Sequence, residues 1–406
     1  MISFEITGKL NIGKETDKFK PYREEEYKSG WVNRTLIFNA ISGTNRLSLQ
    51  TKSGCFKDGH GDLYLFGKDY VDENGKKFKG AAFTIPFKDR FDEKKIAETV
   101  EWKKFVIDLE IPNRRWKLQN AADRLKDGRT ISAEELKEVG LESADQINEA
   151  LEKSKKKRKE FLSAYDYAEF LYKMLTSDKY QDKKFTIRGN YEMQYSEEKQ
   201  RWYNNYVPNR IYLAADDAEE TATANVVLFF SEDSLMDAVE EKGKYYVNGY
   251  VQVYDNNRKA NIFAPYTIAI DATENEKKVK KLVDMFTVEG EEVRELGVVV
   301  ALLDGAQKKE IKMEDLDEET QDNILCGLVE FEDVVKSLGG TVYSDRIQEN
   351  RFVKLGRGFA AGSKDTIYNV DDLTIKSLSN KNVFEDKEDD DTDSLFEEDD
   401  DLDLFS

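Results

Sequence analysis

The chain is 406 residues long and carries 62 Lys and Arg against 82 Asp and Glu, a formal net charge of −20. That length allows two or three domains with cores of their own, and no apolar run is long enough to span a bilayer. Two distant cysteines, Cys55 and Cys326, exclude a disulfide framework and a cysteine-based zinc site; a single histidine leaves triad chemistry one candidate base; Walker A, H-E-x-x-H and G-x-G-x-x-G are all absent.

The N-terminus, Met1-Ile2-Ser3-Phe4-Glu5, has no basic segment followed by an apolar stretch, which together with the cysteine usage predicts a cytosolic protein. Phe4, Ile6, Gly8 and Leu10 then alternate with Ser3, Glu5, Thr7 and Lys9, the period of a strand with one buried face. Residues 34–41 and 46–50 read as a hairpin about Ser42-Gly43-Thr44-Asn45. His60 stands in the glycine-flanked turn Lys57-Asp58-Gly59-His60-Gly61-Asp62, a surface position. Further apolar runs at 63–66, 81–87 and 105–111 bring residues 1–112 to about six strands, enough for a small closed barrel.

Residues 113–182 change to helix. Ser132-Ala133-Glu134-Glu135 resembles a capped start, and Phe161, Tyr165, Ala168, Leu171, Tyr172 and Leu175 recur at helical spacing. The same insert holds the run Lys153-Ser154-Lys155-Lys156-Lys157-Arg158-Lys159, which suits a solvated helix face, phosphate contact, or a resting place for acidic chain.

Alternation resumes over 183–283: Phe185 to Met193, Asn209 to Ala214, Asn225 to Phe230, a short helix near 234–241, then Lys244 to Tyr254 and Ala260 to Ile270. Five strands with a helix between the third and fourth form the arrangement of an OB fold. Residues 284–380 add an apolar strand at 298–303, a helix over about 317–338 with Ile324, Leu328, Phe331, Val335 and Leu338 on one side, and short strands near 341–343 and 351–353. Gly356-Arg357-Gly358-Phe359-Ala360-Ala361-Gly362-Ser363-Lys364 has the wrong spacing for a phosphate-binding glycine motif and reads as a flexible loop. Residues 381–406 are too acidic to fold and form a disordered tail: Phe384 to Ser406 holds thirteen Asp or Glu and one Lys, so twelve net negative charges reside there and −8 on residues 1–383. The fold predicted is therefore mainly β with α/β additions: two OB-fold-like β-barrels, a helical insert, a small C-terminal α/β module and a disordered acidic tail.

The strand from Lys244 to Tyr254 is the most informative element. Tyr245, Val247, Gly249, Val251 and Val253 take one face; Tyr246, Asn248, Tyr250, Gln252 and Tyr254 take the other. Tyrosines mixed with amides suit base stacking, at ~1–3 kcal/mol per base. Arg188, Trp202, Tyr203, Arg210, Tyr212, Arg258 and Lys259 stand on neighbouring strands, and Arg34, Arg46 and Lys52 are the counterparts in the first barrel. Unpaired bases need flat partners and the backbone needs positive charge, so aromatics interleaved with arginine point to single strands. The body carries no basic domain of the kind nucleic-acid binders usually show, so local patches and stacking must do the binding. The competing structural reading packs these tyrosines beneath the insert or a neighbouring unit.

With these strands and the ending Asp399-Asp400-Asp401-Leu402-Asp403-Leu404-Phe405-Ser406, the chain resembles single-stranded DNA-binding proteins, most nearly the large replication-associated ones of bacteriophages. Bacterial members end in an acidic run closed by a short apolar motif with a terminal Phe; this chain lacks the family's proline and adds a Ser after the Phe. The resemblance implies a non-enzymatic protein without cofactor or metal that protects single strands and recruits replication or recombination proteins through Leu402, Leu404 and Phe405. Two other classes fit parts of the sequence. An acidic adaptor that touches only proteins accounts for the net charge, and a carboxylate-dependent nuclease could draw on the abundant Asp and Glu, although no spacing points to one.

Overall fold

The computed structural model describes residues 2–373 except 74, 256–257, 310–312, 314–315, 338–341 and 357–361. The expected tail, with Leu402, Leu404 and Phe405, lies outside the described residues.

Alternation builds the first barrel. Strand β1 (Ile2–Asn11) buries Ile2, Phe4, Ile6 and Leu10 and turns Ser3 and Lys9 outward. Strands β2 (Trp31–Ser42) and β3 (Asn45–Phe56) form the expected hairpin, closed by Gly43 and Thr44. Gly43 takes φ +61°, which a two-residue hairpin turn requires and glycine adopts without steric cost. Strands β4 (Lys184–Ser196) and β5 (Arg201–Leu213) make a second long hairpin with a bulge after Arg188. β1 pairs antiparallel with β2 and with β4, while β5 runs parallel to β3 where Tyr206 meets Leu49. The five strands thus close in the order first, second, third, fifth, fourth. Helix α1 (Ala164–Leu175) begins where the Ser163 side chain accepts from the Tyr165 N–H, and packs Tyr167, Ala168, Leu171 and Met174 on the ring.

A second ring repeats this order. Strands β6 (Thr221–Phe230), β7 (Lys244–Asp255), β8 (Ala260–Asp271), β9 (Glu292–Lys309) and β10 (Val342–Leu355) pair as β6–β7–β8–β10–β9–β6, again with one parallel contact, Ala269 beside Arg351. Helix α2 (Glu276–Phe286), capped by the Asn275 side chain, stands between the third and fourth strands and buries Val279, Leu282 and Phe286. Both rings therefore have OB-fold strand order with the helix in its usual place. The protein is mainly β, with helices as additions.

The grouping of strands differs from the one that chain proximity predicts. β4 and β5, grouped by sequence with 221–271, close instead on residues 2–56, and residues 57–183 are an excursion between the third and fourth strands of the first ring. That excursion holds two short ribbons, Asp62–Phe66 with Ala82–Pro86 and Tyr70–Val71 with Lys77–Phe78. It also holds helices Pro112–Lys126, Ala133–Glu138 and Ile147–Lys156, which bury Leu118, Ala122, Leu136, Val139, Ile147 and Leu151 in a small core of their own. The single helix expected over 317–338 is two, Glu318–Leu325 and Phe331–Ser337; Gly327, at φ +70°, stops the first as left-handed glycine commonly does.

The rings are joined through their first strands. β1 pairs antiparallel with β6 from Ser3 opposite Asn225 to Thr7 opposite Thr221. One continuous core follows, from Leu36, Phe38 and Ile187 in the first ring to Val247, Ile268 and Val298 in the second. Among the described residues no helix is long and apolar enough to cross a membrane.

Among the described residues, the Tyr167 side chain in that core lacks a hydrogen-bond partner. The Tyr167 hydroxyl is fully buried and accepts or donates no hydrogen bond, and burial drives its pKa far upward. A buried unsatisfied hydroxyl costs roughly 1–3 kcal/mol. Tyr167→Phe removes it at almost constant volume and is expected to stabilise the fold by about 1 kcal/mol, read as a higher urea midpoint with unchanged slope.

Candidate nucleic-acid interface

The outer face of the second and third strands is where OB folds commonly meet oligonucleotides. In the second ring this is the face of Tyr246, Asn248, Tyr250, Gln252 and Tyr254 on β7, opposite Ala269, Thr267, Pro265, Phe263 and Asn261 on β8. Val247, Gly249, Val251 and Val253 point inward as alternation predicts. Gly249 is required there, because a Cβ would stand 2.6 Å from the Phe229 carbonyl oxygen.

The three tyrosines do not share one environment. Tyr254 is 57% exposed. Tyr250 packs into a cluster with Phe229, Phe263, Val293 and Leu373. The chain over Lys364–Asn369 and Val370–Leu373 covers this middle part: the Tyr368 ring lies 4.9 Å from that of Phe263, and the Gln252 Nε2 donates to the Tyr368 hydroxyl at 3.1 Å. Tyr250 is therefore a packing residue. Tyr246 lies beyond the cover, with the Lys242 Nζ 5.5 Å from its ring centroid.

The β4–β5 hairpin brings several of the other expected residues together. Arg188 and Arg210 are directly opposite each other on its outer face, and Tyr212 follows two positions on. The Arg188 guanidinium lies 5.8 Å from the Tyr212 ring and donates to Glu5 at 2.5 Å. Towards the tip, the Arg201 Nε donates to the Tyr203 hydroxyl at 2.6 Å, with the guanidinium 4.6 Å from that ring. Trp202 faces the other way, packing with Tyr195 at 5.3 Å against the core. Arg258 is held by Asp255 and Glu197, and Lys259 occupies the β7–β8 turn with φ +49°.

In the first ring the expectation fails for Arg34. It shares parity with Leu36, Phe38 and Ala40, so it points inward, is 5% exposed, and is held by Glu24, Glu169 and the Tyr165 carbonyl under α1. Arg46 and Lys52 stand on the outer face of β3, alongside Ser48 and Gln50. Most of the basic run in the insert meets acids of this chain: Lys153 pairs with Glu149, Lys155 with Glu152, Lys157 with Glu110, and Arg158 with Glu160 and Glu101.

The structure adds a group that the sequence reading did not select. Tyr64, Phe66 and Trp102 form an outward ladder, with ring centroids 5.2 Å and 5.1 Å apart, and Tyr64 and Trp102 are 57% and 59% exposed. The ladder runs into the arginine row, because the Arg210 Nη2 donates to the carbonyl of Glu101, next to Trp102, at 2.9 Å. The Glu101 carboxylate in turn meets Arg158 at 3.1 Å, and Lys68 approaches it at 3.8 Å. Further along, Tyr70 stacks on Phe78 at 5.2 Å, with Lys76 over that ring. The signal was present in Leu63-Tyr64-Leu65-Phe66, where the leucines take one face and the aromatics the other. Among the described residues no group of three or more His, Cys, Asp or Glu is arranged to hold a metal ion.

No protein-family model matches the chain, and no curated protein matches it in sequence. Among solved structures it is similar to the single-stranded DNA-binding protein of Thermus aquaticus. For the wild type the identity is 8%, covering 75% of this chain and 85% of that one, with a TM-score of 0.28. For a deletion mutant the identity is 9%, covering 75% and 87%, with the same TM-score. A superposition that loose bears no weight, and the fold stands on its own strand pairing.

Proposed function

We propose that the protein binds single-stranded DNA without sequence preference and without turning it over. The observation that carries this reading is the exposed ladder Tyr64–Phe66–Trp102 continuing through the Glu101 carbonyl into Arg210, Tyr212 and Arg188. Flat aromatic faces in the open suit bases that have lost their stacking partners, and every base offers such a face, so the preference for sequence is small. Tyr203, Arg201, Tyr246 and Tyr254 extend the same chemistry along the hairpin and onto the second ring. A duplex gains little from such a surface, since its bases are already stacked.

The cations on this track already have acidic or carbonyl partners, and a phosphate must displace Glu5 or Glu101 to reach them. Only a few net phosphate contacts form, and the affinity rests more on stacking than on charge. The test is a salt titration of full-length protein with an oligo-dT. With about three phosphate contacts, log K is expected to fall against log salt with a slope of roughly −2. We further propose a role in DNA replication or recombination, of the bacteriophage type that the sequence resembles, with the acidic end and Leu402, Leu404 and Phe405 recruiting partner proteins.

A second reading, an adaptor that binds proteins only, is favoured by the net charge of −20 and by Leu325 and Leu328, which are 74% and 73% exposed. Absence of oligonucleotide binding at low salt selects it.

A further inference from the structure

The two rings meet at a cleft that neither forms alone. A cavity of about 300 Å³ opens between the β4–β5 hairpin, which contributes Tyr191, Met193 and Asn204, and the second ring, which contributes Tyr246, Thr267 and Asn350. Resting on the single-strand reading, we propose that this cleft takes one unstacked nucleobase of the bound strand, which crosses from one barrel to the other at that point.

Its walls and edges divide the work. Tyr191, Tyr246 and Pro265 give ring and apolar surface for the faces of a base, while Asn204 and Gln348 put amides around its edge and Thr267, whose hydroxyl donates to the Asn248 Oδ1 at 2.9 Å, offers an acceptor oxygen. An amide offers both donor and acceptor, so any of the four bases finds partners. The Asn350 amide is engaged, donating to the Thr267 carbonyl at 3.1 Å, and so fixes one wall. Burial pushes the Tyr191 hydroxyl up to about 12, so it remains a protonated donor at neutral pH.

The volume sits at the small end of ligand sites, which run roughly 300–1,000 Å³. One base fits and a base pair does not. A base inside a duplex could enter only by being extruded, at a cost of a few kcal/mol, so the cleft discriminates for single strands by shape. The opening also has charge for the phosphates on either side. Glu349 carries two cations, Lys244 at 2.5 Å and Arg351 at 2.9 Å, and Lys242 stands over Tyr246. Arg351 also approaches Asp271 at 4.0 Å, so the two cations and the two carboxylates balance, and Lys242 is the cation beyond that balance.

The test uses full-length protein and an oligo-dT with a single 4-thiothymidine. Photo-cross-links are expected on the peptides holding Tyr191 or Tyr246. Tyr246→Ala is expected to weaken binding about tenfold, the worth of one stack, while Tyr246→Phe keeps the ring and stays within about twofold. Should Tyr246→Ala melt early, Tyr246→Leu supplies similar bulk without an aromatic face and carries the same expectation. Unchanged affinity in a folded non-aromatic variant, with cross-links confined to the ladder around Trp102, overturns the cleft and leaves single-strand binding standing. Failure of the unmodified protein to bind oligo-dT at low salt removes both.

Discussion

Replacing Tyr64 and Trp102 together with alanine is expected to weaken binding to oligo-dT by roughly a hundredfold, two base stacks at ~1–3 kcal/mol each. Both side chains are more than half exposed and neither belongs to a buried cluster, so the melting temperature should hold. The single variants should lose about tenfold each. The same contact gives a direct readout, since a base stacked on Trp102 quenches its fluorescence, and the quench should vanish in Trp102→Phe. Unchanged affinity in the folded double variant would remove the ladder from the interface and with it the observation on which the proposed function rests.

Deleting Phe384 to Ser406 is expected to tighten single-strand binding about tenfold at low salt, with the difference closing as salt rises. Leu373, the last described residue, is 1% exposed and seated with Tyr250 and Phe263 on the outer face of β7–β8. The described residues therefore stop beside the surface proposed to bind DNA. The twelve net negative charges further along the chain are expected to compete with phosphates for Lys242, Lys244 and the arginines of the hairpin. Salt screens this competition beyond about 10 Å at 0.1 M. Deleting only Leu402 to Ser406 removes a single charge and should leave affinity unchanged while abolishing capture of replication proteins. Equal affinity of full-length and truncated protein at low salt would reduce the acidic end to a solubility device.

The sequence makes individual strands legible and their partners illegible. Period-two alternation marks β1, the β2–β3 hairpin and β7 because each has one buried face, and that signal is local. The closures are not local: β1 meets β4 through Ile6 opposite Ile187, and no spacing along the chain announces so distant a pairing. A long excursion between the third and fourth strands therefore reads as a break between two barrels when it is an insertion within one. Arg34 illustrates a different miss. Its parity with Leu36, Phe38 and Ala40 places it inside, whereas its residue type alone suggests a surface cation. Tyr64 and Phe66 are the converse case, since four consecutive apolar residues resemble core until alternation separates the inward leucines from the outward aromatics. The cover over Tyr250 was invisible because Tyr368 and Leu373 carry no signal of where they dock.

The continuous core has a mechanical consequence. Proteins that string barrels on linkers let each module swivel, so a bound strand can follow many paths. Here β1 and β6 share a ladder and one set of apolar side chains fills both rings, which leaves no hinge between them. The distance and angle from the Trp102 ladder to Tyr246 are consequently fixed, as between two sleepers under one rail. A strand long enough to reach both pays for its stretched conformation once and gains two sites together. Affinity should then rise in a step with oligonucleotide length rather than smoothly, and the height of that step measures the rigidity of the joint.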